Sequence, residues 1–274
     1  MDHWKSIDQF VCLSLREAVD RRQKVQTEFD RVGLNVHFII SDRPPNKNGF
    51  YGCYTSHQKA LRHAKLKGYN RMCIFEDDLY FVDTDKVRKA ASIFETFAAT
   101  PTPWDAFLLG WYPLRAQKTS DKNVLRVLCG GQTHAYIANK SLIDRGLPDV
   151  SPESLPEVDM LMFCSTCADT KRYLRQAKCE TDLNIYALAR MIALQPMDTS
   201  SILKTKGDMR ARLLGTKLLP PTVLQHTVVY IPTLHFGIFC AISLLLVTIT
   251  VLGFSIYGFC LIGKKNDKKR NASG

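Results

Sequence analysis

Three consecutive carboxylates, Glu76, Asp77 and Asp78, follow directly on the apolar run Met72–Phe75. Side chains alternate along a strand, so Glu76 and Asp78 fall on one side and Asp77 on the other. Ligands of open α/β sheets bind beyond the carboxyl ends of the strands. Two carboxylates there can hold a hard divalent cation, which can bridge the phosphates of a substrate. The same residues can equally be the acidic start of a loop. A second group, Gly52 to His57 (GCYTSH), opens a helical pattern. Small and hydroxyl residues such as Ser56 at a helix N-terminus offer N–H groups to an anion. His57 can act as base or donor, although a lone histidine more often holds structure. Third, Arg16, Arg21 and Arg22 come just after the first apolar run. They can meet a nucleotide diphosphate or simply form a charged helix face.

The surrounding pattern supplies strands and helices to carry these groups. Phe10–Leu15 and Val36–Ile40 read as strands. Between them, Asp20–Val32 places Val25, Phe29 and Val32 on one helical stripe, which Gly33 can end. A loop with Pro44, Pro45 and Gly49 follows, then a helix over Thr55–Lys67 with Ala60, Leu61 and Ala64 inward. Met72–Phe75 is a buried strand. Thr84 can cap a helix bearing Val87, Ala91, Phe94 and Phe97, and Trp104–Leu109 is a further strand. This β-α-β-α-β order argues for a mostly parallel sheet covered by helices on both faces. Beyond it, Val124–Leu128 and His134–Ala138 read as strands and Ser141–Arg145 as a short helix. Ser151–Glu157 is a loop, Val158–Cys167 a helix, and Asn184–Leu194 is apolar and ambiguous.

The chain has 274 residues, a formal charge of +11, 46% hydrophobic and 23% charged residues, which excludes a disordered or collagen-like protein. The basic residues are spread among acids, without the stripe or arm that nucleic-acid binding needs, so no nucleic-acid partner is expected. From Leu218 to Gly263 there is no Asp, Glu, Lys or Arg. Phe236–Ile262 alone exceeds the ~20 residues a helix needs to cross a bilayer, with Tyr230 and Tyr257 placed for the two interfaces. The expected organisation is a domain over 1–203, a basic juxtamembrane linker over 204–229, a transmembrane helix over 230–263 and a basic tail over 264–274. The N-terminus has neither signal-peptide nor anchor pattern, so the expectation is a single-pass C-terminal anchor with the domain on the cytosolic side. Nine scattered cysteines suit a reducing compartment. Cys12 and Cys73 fall in strand-like runs, and Cys164 with Cys167 is a lone pair without a second at zinc-finger spacing.

Taken in order, six segments resemble glycosyltransferase family 25, the lipopolysaccharide-biosynthesis and collagen β-galactosyltransferase group. They are LSLREAVDRR (13–22), GCYTSHQKAL (52–61), CIFEDD (73–78), HAYIANKSL (134–142), LPEVDMLM (155–162) and LQPMDTSSI (194–202). The resemblance runs from Phe10 to Ile202. It implies a GT-A-like (Rossmann-like) α/β fold with a mixed sheet, a nucleotide-sugar donor with UDP-galactose among the candidates, and a divalent metal, usually Mn²⁺. Glu76 and Asp78 match the family's metal-binding acidic motif. The implied donor contacts are Ser14, Arg16, Arg22 and Asp42 near the first two strands. Ser56, His57, Asp77 and Gln195 complete them. An inverting transfer needs a base for the acceptor hydroxyl, and Asp159 is the candidate, its ordinary role being a helix N-cap.

The expected function is therefore membrane-anchored transfer of a hexose to a hydroxyl on a glycan, lipid or protein acceptor. The rival is a degenerate transferase domain serving as a membrane-tethered binding or scaffold module. It is favoured by Leu13-Ser14-Leu15 where the family usually has Ile-Asn-Leu, and by Ser41-Asp42-Arg43-Pro44 where it has Ala-x-Asp-Gly. A nucleotidyltransferase shares the sheet and metal logic but is expected to carry a Gly-rich basic loop near the N-terminus, which this sequence lacks.

Overall fold

Alternation along two strands decides which side of the sheet each helix covers. The computed structural model describes residues 3–44, 49–149 and 182–195. In β1 (Gln9–Leu15), Phe10 and Cys12 face one side and Val11 and Leu13 the other. In β3 (Arg71–Glu76), Cys73 and Phe75 join the first side, Met72 and Ile74 the second. The first side is covered by α1 (Val19–Val32) and α3 (Thr84–Ala98), through Val25, Phe29, Val87, Ala91 and Phe94. The second is covered by α2 (Gly49–Lys67) and α4 (Lys140–Arg145), through Ala60, Leu61, Ala64, Leu142 and Ile143. Phe29 packs on Phe75 with ring centroids 5.3 Å apart, and Phe94 on Phe107 at 5.1 Å. Each such side chain contributes roughly 1.5–3 kcal/mol when fully buried. Gly33 ends α1 at φ +73°, a conformation that costs glycine least.

The main sheet has the order β2-β1-β3-β6-β5-β7, with β2 at His37–Ser41, β5 at Ala106–Lys118, β6 at Val124–Asn139 and β7 at Ile185–Leu188. β1 runs parallel to both β2 and β3, with Leu13 level with Ile39 on one side and Glu76 on the other. The crossover through α1 runs from β1 outward to β2, and the crossover through α2 returns from β2 over the opposite face, past β1, to β3. That makes the crevice beyond the carboxyl ends of β1 and β3 the topological switch point, where α/β sheets bind ligands.

The expectation of a mostly parallel sheet holds for this half alone. β6 is antiparallel to both β3 and β5, because β5 and β6 are joined by a short turn over 119–123 instead of a helix. Asp121 shapes that turn, its carboxylate accepting from the Asn123 amide at 2.8 Å. The two strands expected over 124–138 are one long strand, and Trp104–Leu109 is only the first part of β5. The ambiguous run 184–194 divides into β7 and β8 (Ala193–Leu194), and β8 pairs with β4 (Tyr80–Phe81) in a small second sheet. Asp83, not Thr84, caps α3, accepting from the amides of Asp85 and Lys86 at 2.9 and 3.2 Å. No helix among the described residues is long and apolar enough to cross a membrane. The apolar run 230–263, Asp159 and the Cys164/Cys167 pair lie outside the described residues.

Candidate active site

Glu76 and Asp77 turn to opposite sides of the sheet as alternation requires, but β3 ends at Glu76 and Asp78 lies in the turn that follows, so it does not simply return to the Glu76 side as expected. Glu76 continues the side of Met72 and Ile74, towards α2. His57 on α2 continues the inward stripe of Ala60, Leu61 and Ala64 back by one turn, and it is fully buried. Its Nε2 lies 3.4 Å from Glu76 Oε1 and its Nδ1 3.1 Å from the Tyr136 hydroxyl. Tyr136 reaches that place because β6 sets it level with Ile74 of β3. Burial works to raise the Glu76 carboxyl, but the His57 hydrogen bond and the attraction of His57, His134 and Arg21 outweigh it and hold the group below the usual glutamate range. The two ring nitrogens of His57 thus face the Glu76 carboxylate on one side and the Tyr136 hydroxyl on the other.

Asp77 turns to the other side, towards α1, and is buried. It accepts from Ser14 Oγ at 2.6 Å and pairs with Arg21. Arg22 binds Ser14 Oγ at 3.2 Å, the Leu15 carbonyl, and the Arg16 carbonyl at 2.9 Å, so it ties down the loop after β1. Asp78 lies between the two sides. Arg21 is 3.6 Å from its Oδ2, and Gln195 Nε2 donates to its Oδ1 at 2.7 Å. The same amide nitrogen stands 3.3 Å from Glu76 Oε2. Burial, then repulsion from Glu76, push the Asp78 carboxyl above its usual range, with Arg21 and Gln195 pulling back only in part.

Two carboxylates of this kind, converging on one amide and repelling each other, fit a hard divalent cation. The donors are all oxygen, which suits Mg²⁺, Ca²⁺ or Mn²⁺, and a positive ion between them removes the repulsion. Gln195 is brought there by β8, which Gly110 of β5 allows to pass close. A Cβ at Gly110 would overlap the Ala193 carbonyl oxygen and His134 Nε2. His134 Nε2 is 3.0 Å from that oxygen, while its buried Nδ1 has no hydrogen-bond partner among the described residues. A cleft of about 300 Å³ opens beside Asp78, lined also by Arg21, Lys24, Glu28 and Tyr80. A larger groove of about 650 Å³ on the outside of α2 shares no lining residue with the carboxylates.

The remaining sequence candidates take other places. Arg16 and Asp42 form an exposed ion pair, at 2.6 Å, beyond the ends of β1 and β2. α2 begins at Gly49, so Ser56 and His57 lie past its first turn, where the helix's own carbonyls take the backbone N–H groups. Ser56 Oγ accordingly bonds back to the Gly52 carbonyl at 2.8 Å, and the anion-binding helix start expected there is corrected. Asp105 precedes β5 at the opposite end of the sheet and accepts from the Asn184 amide at 2.7 Å. Sequence reasoning grouped Arg21 with its neighbours and passed over His134 and Tyr136. The arginine's position on the buried edge of α1 and the level of Tyr136 with Ile74 depend on pairings that no local pattern encodes.

No protein-family model matches the chain, and no curated protein matches it. Solved structures with a related arrangement include A197 from STIV, 14% identical, covering 69% of this chain and 85% of that one with a TM-score of 0.37. Another is a glycosyltransferase involved in the glycosylation of the major capsid of PBCV-1, 12% identical, covering 56% and 73% with a TM-score of 0.34. A third is mannose-1-phosphate geranyltransferase from Thermus thermophilus, 11% identical, covering 67% and 73% with a TM-score of 0.38. Scores of this size carry no argument about activity. The mixed α/β fold stands on the strand order itself, and the likeness to family 25 on the sequence segments alone.

Proposed function

We propose that the chain is a metal-dependent glycosyltransferase of the family 25 type, transferring a hexose from a nucleotide-sugar donor to a hydroxyl acceptor. The observation that carries this reading is the carboxylate pair Glu76 and Asp78 at the switch point, gathered around Gln195. Glu76 and Asp78 would hold the divalent cation. When bound, it supplies Lewis-acid neutralisation of the departing nucleoside diphosphate. Arg21 and Lys24 line the adjacent cleft and offer positive charge to the donor's phosphates. His57 orients Glu76, and Gln195 fixes the spacing of the two carboxylates. Asp159 takes the acceptor proton as the hydroxyl attacks the anomeric carbon. The apolar run 230–263 anchors the domain to a bilayer, which suits a glycan, lipid or protein acceptor held at a membrane.

One observation favours the rival reading, a binding module without turnover. Arg21 already pairs with Asp77 and stands 3.6 Å from Asp78, where a fixed guanidinium can stand in for a metal. The experiment that decides is a panel of nucleotide sugars incubated with the full chain and Mn²⁺, reading which nucleoside diphosphate is released. Release of one diphosphate supports the transferase. Metal-dependent binding of a nucleotide sugar without release supports the module.

A further inference from the structure

Glu76 presents two faces, and only Oε2 belongs to the pair with Asp78. On the other face lie Cys53 and His57, one helical turn apart on α2 and therefore on the same side of it. A thiol sulfur, an imidazole nitrogen and a carboxylate oxygen from Cys53, His57 and Glu76 all fall within 4.8 Å of one another. The 3.4 Å between His57 Nε2 and Glu76 Oε1 is long for a hydrogen bond. It matches the roughly 3.4 Å edge of a tetrahedron whose centre-to-ligand bonds are the ~2.0–2.1 Å of zinc to nitrogen and oxygen. The second nitrogen of His57 is already held by the Tyr136 hydroxyl at 3.1 Å, the kind of partner that fixes the ring of a metal-bound histidine.

From this geometry we infer a second cation site, formed by Cys53, His57 and Glu76, selective for a thiophilic divalent ion of the zinc class. It is distinct from the oxygen-only pair of Glu76 and Asp78 and shares Glu76 with it. A mixed sulfur, nitrogen and oxygen donor set selects zinc-like ions over magnesium or calcium. On binding, the Cys53 thiol releases its proton to solvent. His57 would bind through Nε2 with its proton on Nδ1, donated to the Tyr136 hydroxyl. Three protein ligands leave a fourth position for water or a substrate oxygen, the arrangement of a catalytic zinc site.

Cobalt(II) is the probe, because a thiolate bound to it produces a charge-transfer absorption that oxygen ligands do not. The full chain is solubilised, stripped with a chelator and titrated with cobalt(II). The expected result is a thiolate-to-cobalt band at one equivalent, lost in Cys53→Ser, retained in Asp78→Asn and retained when Cys164 and Cys167 are both changed to Ser. Retention in Asp78→Asn separates this site from the hard-cation pair, so either reading can fail without the other. No band in the wild type, or a band that survives Cys53→Ser, overturns the inference. A second measurement does not depend on that variant folding. Zinc should slow alkylation of Cys53 by iodoacetamide in the wild type at least tenfold, read peptide by peptide, and an unchanged rate overturns the site.

Discussion

The guanidinium of Arg21 pairs with the buried carboxylate of Asp77 and stands 3.6 Å from Oδ2 of Asp78. The acidic cluster therefore carries its own fixed cation, delivered by the first crossover helix to the end of β3. Asp77 has little exposure to water, and its other partner, Ser14, is neutral. Removing Arg21 leaves a buried charge without compensation.

Arg21→Ala should accordingly cost roughly 3 kcal/mol of stability, the usual loss when one partner of a buried pair is deleted. Adding Asp77→Asn should recover much of it, since the uncompensated charge goes too. Urea unfolding of the wild type, the single variant and the double variant checks this. Additive losses would show that the pair is not energetically coupled.

Gly110→Ala tests how Gln195 is delivered. The added methyl meets the Ala193 carbonyl and His134, both held in place by the β4–β8 sheet and the core. The expected loss is about 2 kcal/mol, as for other forced overpacking. Divalent-cation affinity should fall with it, because β8 and Gln195 shift away from Glu76 and Asp78. Calorimetric titration with Mn²⁺ reads the second effect. Unchanged affinity would mean that the amide does not set the carboxylate spacing.

Glu28 gives a pH dependence. It accepts from the Phe81 amide at 2.9 Å and pairs with Arg31 at 2.5 Å, tying α1 to β4. Burial works to raise its carboxyl, but the Arg31 and Phe81 hydrogen bonds outweigh this and leave it below the usual range. A depressed folded pKa means that the contribution is full above the unfolded value of ~4.3 and is lost as pH falls through the folded value. Glu28→Gln should cost about 1 kcal/mol at pH 7 and nothing once both states are protonated. Denaturant curves at pH 7 and near pH 2 should converge at the acid end. A constant gap would assign the effect to packing.

Much of the frame was legible in local pattern. The stripe of Val25 and Phe29, the stop at Gly33, the stripe of Ala60, Leu61 and Ala64, and the alternation through Met72–Glu76 each depend on neighbours in sequence. These placed the carboxylates at a strand's carboxyl end and set Asp77 apart from Glu76, whereas Asp78, in the turn beyond the strand, shares Arg21 with Asp77. What local pattern missed depends on distant pairing. β4 and β8 have two residues each, too short for any periodicity. The single long β6 is held by β3, β5 and β7 across its glycine-containing middle. Gln195 was named by resemblance, but its contact with Asp78 spans 117 positions and depends on Gly110. His57 was visible as a candidate and misplaced at a helix start, because α2 begins six residues earlier than its apolar stripe suggests.

Asp159→Asn addresses the proposed base. Asparagine keeps a capping acceptor, so stability should change little. Transfer to acceptor should fall by about a hundredfold or more, the usual worth of general-base help, while nucleotide-sugar affinity stays the same. Calorimetry and a transfer assay on the same preparation separate the two. Loss of both would assign Asp159 to donor or metal binding, and loss of neither would leave it a cap.

If Glu76 and Asp78 hold a divalent cation that serves departure of a nucleoside diphosphate, removing the charge of either one should stop turnover. Asp78→Asn is nearly isosteric, keeps a polar partner for Gln195 and removes the charge that Glu76 repels. The direct measurement is Mn²⁺-dependent release of nucleoside diphosphate from a nucleotide sugar, wild type against Asp78→Asn, with thermal unfolding of both recorded alongside. Release by the wild type should need the metal and should fall by about a hundredfold or more in the variant, on an intact fold. Release by Asp78→Asn at the wild-type rate with Mn²⁺ would contradict it.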